Sequence, residues 1–379
     1  MKSFDVVVVG AGPSGAMAAY EAAAGNLSVG LLEKKTLPRY KTCGGGLVYR
    51  GKRKLPFDIS DAVARSYHDL AVYFDHSPVS FTTSRDLPII SMVMRDTFDR
   101  LLVKKAEERG VDLVEDCDLL GVTDKDGTIK LTTTKGDLFT RMVIAADGAY
   151  SPTAKLFGWK ETRRLIPALE YEVTVPEADF LRLSHEVRFD VDAIPYGYGW
   201  CFPKENHLSI GVGCFKHSRI NLKEYYQKYL KTLGIKEILG EEAHGFQIPI
   251  SPRTDGFYRS GVFLTGDAAG FADPLTAEGI SNAIYSGQLA GISIAQHPRD
   301  SQKAGEQYEL SLKEEMLHEL KISGFLSKIF YENPRLRNLL IDRYGQRGCE
   351  ILTDIFMGDR KFPKDIRKKL KEKIPFLPF

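Results

Sequence analysis

Four consecutive valines, Val6–Val9, run directly into Gly10-Ala11-Gly12-Pro13-Ser14-Gly15, and no other stretch of the 379 residues limits the fold so tightly. A short β-branched run of this kind reads as a buried parallel strand. The alanine-rich stretch 14–24 reads as a helix, and 29–32, ending at Glu33, as a second strand. Together they make a βαβ unit. In such a unit Gly10 permits the tight turn, Gly12 lets the backbone approach a pyrophosphate, and Gly15 lets the helix pack closely on the strand. The helix N-terminus, at Pro13 and Ser14, then faces the phosphate charge. Glu33 lies 18 residues beyond Gly15, where a carboxylate accepts the hydroxyl protons of a ribose. Glycine turns are common, but one that joins a strand to a helix and is followed by an acid at this distance predicts a dinucleotide site. Its candidate residues are Gly10, Ala11, Gly12, Pro13, Ser14, Gly15 and Glu33, with Lys34 beside them.

Two further strands end in a glycine–acid pair. Residues 142–146 lead into Asp147-Gly148, with Ser151 after it, and residues 262–265 lead into Gly266-Asp267. Residues 96–109 read as a helix with Phe98, Leu101 and Leu102 on one side, stopped by Gly110. Residues 111–114 and 128–134 read as strands. Between 171 and 213 apolar and polar residues alternate, as in a half-buried antiparallel sheet. Residues 279–296 read as a helix, and the chain from 301 is mostly helical and charged. These elements predict an α/β protein. A discontinuous Rossmann-like cofactor domain covers 1–60, 90–165 and 256–300. An antiparallel β-sheet substrate domain, 61–89 and 166–255, is inserted into it, and a helical region covers 301–379.

Composition narrows the function by exclusion. A net charge of +2 gives no argument for nucleic acid. Five scattered cysteines without a CxxC pair suit a reducing compartment. Eight histidines without HxxxH spacing predict no metal site. No stretch approaches the roughly 20 apolar residues of a membrane span, so the expected location is cytoplasmic or peripheral to a membrane. Residues 359–379 carry eight Lys/Arg against three Asp/Glu. Ile366, Leu370 and Ile374 recur there at four-residue spacing, a basic amphipathic end suited to anionic lipid.

The three glycine motifs, in this order and spacing, resemble those of FAD-dependent oxidoreductases of the para-hydroxybenzoate hydroxylase fold, across roughly residues 4–290. The resemblance implies that the first motif and Glu33 hold the ADP half of FAD, with Leu119, Asp147 and Gly148 as further contacts. It implies that Gly266 and Asp267 meet the ribitol, and that the amides of Gly279 and Ile280 meet the pyrimidine edge of the flavin. Arg95, heading Arg95-Asp-Thr-Phe-Asp-Arg-Leu-Leu, matches an arginine near the FAD. No second GxGxxG exists, so an electron donor, NAD(P)H or a ferredoxin-like carrier, would visit transiently.

Two more segments narrow the family. One is Arg39-Tyr-Lys-Thr-Cys43-Gly44-Gly45-Gly46, and the other is Pro195-Tyr-Gly-Tyr198-Gly-Trp200-Cys-Phe202-Pro203. On a strand Tyr198, Trp200 and Phe202 share one face. Such a face is either sheet core or the wall of an apolar pocket. Both segments resemble the geranylgeranyl reductase family, whose members saturate isoprenoid double bonds. The resemblance implies an apolar isoprenoid or isoprenoid-lipid substrate against those three aromatics. It also implies a role for Cys43, as donor or positioning group, with Gly44 and Gly46 beside the flavin. Two alternatives stand: a flavin monooxygenase or halogenase of the same fold, and a lipid or quinone carrier with a structural FAD. No acid is evident at the aromatic segment.

Overall fold

The computed structural model describes residues 2–74, 79–125, 127–216 and 220–363; Ile366, Leu370 and Ile374 of the basic tail lie outside them. Its centre is a six-stranded sheet in the order Tyr258–Arg259, Val262–Leu264, Met142–Ala145, Val6–Val9, Val29–Leu32, Asp112–Val114. All neighbours are parallel except the first pair. Residues 6–9, 29–32, 142–145 and 262–264 are buried throughout, which is why they read as unbroken apolar runs. Because the strands are parallel, Gly10, Glu33, Asp147 and Gly266 all emerge at one edge. Ligands bind at that edge in open α/β sheets.

Helix Pro13–Ala23 covers this sheet together with helix Ile280–Gln296. The two approach so closely that a Cβ on Gly287 would overlap the Ser14 carbonyl, and one on Gly291 would lie 2.5 Å from the Ala18 carbonyl oxygen. Helix Arg95–Glu107 buries Phe98 and Leu102 but leaves Leu101 half-buried. A four-stranded sheet, Lys2–Ser3, Gly136–Thr140, Thr128–Thr133 and Leu119–Lys125, flanks the centre.

The second layer is a seven-stranded sheet. Its order is Gly240–Pro249, Leu165–Thr174, Leu208–Cys214, Gly197–Pro203, Val187–Val191, Asp69–Phe74, Ser80–Ser84. The alternating stretch 171–213 supplies part of it, interrupted by helix Glu177–Leu183. One face packs Tyr171, Cys201, Ile210 and Val212 against Tyr226, Tyr229 and Leu230 of helix Leu222–Thr232. The other face is organised in rows, because directly paired residues point the same way. Tyr198, Gly213, Ala168 and Phe246 form one row; Trp200, Gly211, Glu170 and His244 the next; Phe202, Ser209, Glu172 and Glu242 the third. The face is therefore aromatic at strand Gly197–Pro203 and ionisable at strands Leu165–Thr174 and Gly240–Pro249.

Strand Val63–Tyr67, expected with this layer, pairs instead with Ile90–Val93, which also pairs Gly46–Val48. This three-stranded sheet ties the two layers together. Helix Pro334–Met357 lies across strand Ser80–Ser84, with Thr353 and Thr83 hydroxyls 2.6 Å apart. The same helix is pinned to the seven-stranded sheet by the buried Arg337, whose guanidinium meets both carboxylate oxygens of Asp192. No helix among the described residues is long and apolar enough to cross a membrane.

Candidate functional site

The first turn is shaped by contacts that only glycine allows. Gly10 has φ +102°, and a Cβ there would lie 2.5 Å from the Ala146 carbonyl oxygen. A Cβ on Gly15 would overlap the Gly10 carbonyl. Gly12 caps helix Pro13–Ala23 without a side-chain hydrogen bond, so the first amides of the helix keep their donors for another partner. The space beside Gly12 is open as far as the Arg95 guanidinium, 3.8 Å from where a Cβ would stand. Ser14 Oγ, 2.9 Å from Thr265 Oγ1, joins this turn to the end of strand Val262–Leu264.

Glu33 is 4% exposed. Its carboxylate accepts from the Ala11 amide at 3.1 Å and from Arg39 at 3.3 Å. Arg39 reaches on to Asp99 at 2.9 Å, and Asp99 accepts from Arg95 at 2.8 and 2.9 Å. Sequence reasoning found Glu33 and Arg95 but missed Asp99, the fully buried carboxylate between Arg39 and Arg95. Its position four residues after Arg95, one helical turn on, was the available signal. Burial works against the Arg95 charge, yet Asp99 and the Cys43 thiol hold that guanidinium above its ordinary pKa. Lys34 is exposed beside Glu33, and Leu119 opens the edge strand of the four-stranded sheet.

The second and third turns are stapled to each other. The Asp147 carboxylate accepts from Ser151 Oγ at 2.6 Å and from the Thr153 amide at 2.8 Å, so both its oxygens build the turn. Gly148, at φ +82°, has open space where a Cβ would stand. The buried Arg163, which no motif announced, donates to the Ala149 carbonyl at 2.7 Å and to the Asp267 carbonyl at 2.5 Å. The Asp267 carboxyl has its pKa raised by burial, against Lys41, Arg95 and Arg163. Gly279 caps helix Ile280–Gln296, and a Cβ there would stand 3.7 Å from Asp267 Oδ1. Loop 274–279 before it is fixed by Tyr198, whose hydroxyl donates to the Thr276 carbonyl at 2.6 Å.

The two remaining segments meet. A Cβ on Gly44 would stand 3.0 Å from the Phe202 ring and 3.2 Å from Trp200 Nε1, and one on Gly46 would stand 3.4 Å from Phe202. Cys43 is half-buried, its Sγ accepting from the Gly45 amide at 3.4 Å. Lys204, 1% exposed, locks the arrangement by donating to the Gly44 carbonyl at 2.6 Å and the Val93 carbonyl at 3.2 Å. Burial lowers its pKa, opposed by Glu172 and Glu170. Glu170, 2% exposed, is the acid that sequence reasoning did not find beside the aromatic segment. It lies 30 residues away in the chain and reaches Trp200 only through sheet pairing.

A dinucleotide with a flavin fits this edge. The uncapped amides at Gly12 suit a pyrophosphate, the buried Glu33 suits a ribose, and the open faces of Gly12 and Gly148 leave backbone accessible. Comparison with known proteins agrees. The family described as FAD dependent oxidoreductase matches residues 5–149. A digeranylgeranylglycerophospholipid reductase of Methanopyrus kandleri is 30% identical over 315 residues, covering 76% of this chain and 79% of that one. A chloroplastic geranylgeranyl diphosphate reductase of Arabidopsis thaliana is 29% identical over 388 residues, covering 94% and 81%. Among solved structures, a geranylgeranyl bacteriochlorophyll reductase-like protein of Thermoplasma acidophilum superposes with a TM-score of 0.79 at 25% identity, over 99% of this chain and 98% of that one. A flavin-dependent brominase superposes at 0.75 with 19% identity over 99% of both chains, a likeness of fold alone. The chain is an FAD-dependent oxidoreductase and belongs to the geranylgeranyl reductase family.

Proposed function

We propose that this protein saturates C=C bonds of an isoprenoid chain. The observation that carries the reading is the close approach of Gly44 to Trp200 and Phe202, and of Gly46 to Phe202, which sets the run after Cys43 against the aromatic face. Relatives named as reductases of geranylgeranyl compounds support it.

In this reading Gly10, Ala11, Gly12, Pro13, Ser14, Gly15, Glu33, Lys34 and Leu119 hold the ADP half of FAD. Arg95, Asp147, Gly148, Gly266 and Asp267 line the pyrophosphate and ribitol. The amides of Gly279 and Ile280 meet the ring, where a helix N-terminus favours negative charge. Bound FAD supplies a two-electron store that yields hydride. Tyr198, Trp200 and Phe202 hold the alkene and exclude water, so alignment in a dry pocket carries much of the rate. Cys43 and its glycines set the distance between wall and ring. Electrons arrive from a visiting NAD(P)H or ferredoxin-like donor.

Dithionite-reduced protein mixed anaerobically with a polyprenyl diphosphate should reoxidise its flavin and yield product two mass units heavier. Hydroxylated or halogenated product formed only in air would favour the oxygen-using alternative. Cys43→Ala is expected to keep its FAD and lose most of this turnover. An unchanged single-turnover rate would remove Cys43 from the chemistry.

A further inference from the structure

Glu170 stands in the middle row of the seven-stranded sheet, across Gly211 from Trp200. A Cβ on Gly211 would overlap the Trp200 indole, so the ring lies over the glycine and extends toward Glu170. Glu170 Oε1 accepts from Ser209 Oγ at 2.7 Å, and Ser209 Oγ lies 3.4 Å from Trp200 Nε1. Lys204, the first of two lysines that act on this carboxyl, donates its ammonium to the Gly44 and Val93 carbonyls. Burial first, and then the Glu172 carboxylate, push Glu170 up to about 7, with Ser209, Lys204 and Lys41 pulling the other way. It is thus an acid that changes charge near neutrality.

A second acid stands on the same strand. Glu172 points to the same face two residues on, and its Oε2 lies 3.0 Å from His207 Nε2. Both atoms are buried and neither has a hydrogen bond of good geometry, while the His207 side chain is 19% exposed. Strand Gly240–Pro249 adds His244 and Glu242 to this face. The segment before Cys43 adds Tyr40, stacked on His244 at 4.1 Å, and Lys41, 3.6 Å above the Phe246 ring.

We propose that Glu170 holds the proton that reduction at this site consumes, and that Glu172 and His207 return one from solvent. This rests on the isoprenoid-reductase reading above. Saturating an unpolarised C=C adds a hydride to one carbon, drawn from FAD reduced by two electrons, and a proton to the other. The Glu170 O–H bond breaks as that second C–H bond forms, leaving a carboxylate that faces the Lys204 ammonium. A solvent proton then restores the acid. Trp200 cannot relay the proton, because its indole N–H only donates; it walls the pocket and holds Ser209. The same device accounts for a buried acid and a buried lysine kept side by side without direct pairing.

The test uses the holoenzyme, reduced with dithionite and mixed anaerobically with geranylgeranyl diphosphate. Wild-type reoxidation should slow as pH rises through about 7, as Glu170 loses its proton. Glu170→Gln preserves the Ser209 hydrogen bond but should be roughly a hundredfold slower at pH 6, with unchanged FAD content and unchanged reoxidation by oxygen. Ser209→Ala removes a bond that favours the carboxylate, so the pH limb should move to higher pH, which a merely structural role would not produce. Independently, holoenzyme with Trp159→Phe retains one of the chain's two tryptophans. Its Trp200 fluorescence should titrate near pH 7, and adding Glu170→Gln should abolish that titration. Wild-type flavin that the isoprenoid cannot reoxidise overturns both the functional reading and this proposal. Wild-type turnover matched by Glu170→Gln, with the same pH limb, overturns this proposal alone. So does a flat Trp200 titration.

Discussion

Gly15→Ala is expected to purify colourless. The added methyl would overlap the Gly10 carbonyl oxygen, stand 3.0 Å from its carbon, and stand 3.1 Å from Ala146 Cβ. None of these is the end of a flexible side chain. Relief requires helix Pro13–Ala23 to back away from the sheet, but helix Ile280–Gln296 blocks that movement where Gly287 touches the Ser14 carbonyl. Overpacking of this kind costs about 1–3 kcal/mol by itself. The displaced helix also carries away the amides proposed to face the pyrophosphate, so the stabilisation contributed by bound cofactor should be lost as well. The ratio of flavin to protein absorbance and the melting temperature measure the two effects. A yellow variant melting within a degree or two of wild type would mean that the turn can relax, and that the close approach is not needed for binding.

Asp99→Ala should destabilise the fold by about 3–5 kcal/mol, the usual result of removing one member from a buried ionic group. Asp99 is fully buried, and the guanidiniums of Arg39 and Arg95 on either side are 11% and 12% exposed. Without the carboxylate two like charges face each other in a site that water barely reaches. Arg39 would still have Glu33, at 3.3 Å. Among the described residues Arg95 makes no other ion pair, and it would swing toward solvent, opening the space beside Gly12. Weaker FAD retention should therefore accompany the lost stability. Urea denaturation of the holoprotein reports the first and flavin release on dilution the second. A loss under 1 kcal/mol would show that solvent or a rearranged Glu33 replaces Asp99.

What the sequence made legible was what repeats locally. Strands Val6–Val9 and Val29–Leu32 were read to the residue because a parallel strand buried on both faces must be apolar throughout. Helix Ile280–Gln296 was read to within one residue of its start. The face shared by Tyr198, Trp200 and Phe202 followed from the period of a strand. The charged residues that hold the site together were not legible, because their partners are distant in the chain. Lys204 reaches Gly44 across 160 residues, and Arg163 reaches Asp267 across 104. An isolated lysine or arginine has no periodicity, and its meaning appears only when strands pair. Residues 63–67 lie in the stretch 61–89 expected with the substrate layer, and their pairing with Ile90–Val93 was not legible for a similar reason: no motif marks the partner.

The strand order of the central sheet also has a consequence for biosynthesis. Strand Val6–Val9 emerges from the ribosome first, but its neighbour Met142–Ala145 follows more than a hundred residues later, and Val262–Leu264 as many again. Closing such distant pairs is slow and leaves apolar strand edges uncovered meanwhile. A nascent chain therefore holds its fingerprint turn long before it has a cleft. The whole intervening sheet, aromatic face included, is translated before the strand that completes the FAD-binding cleft.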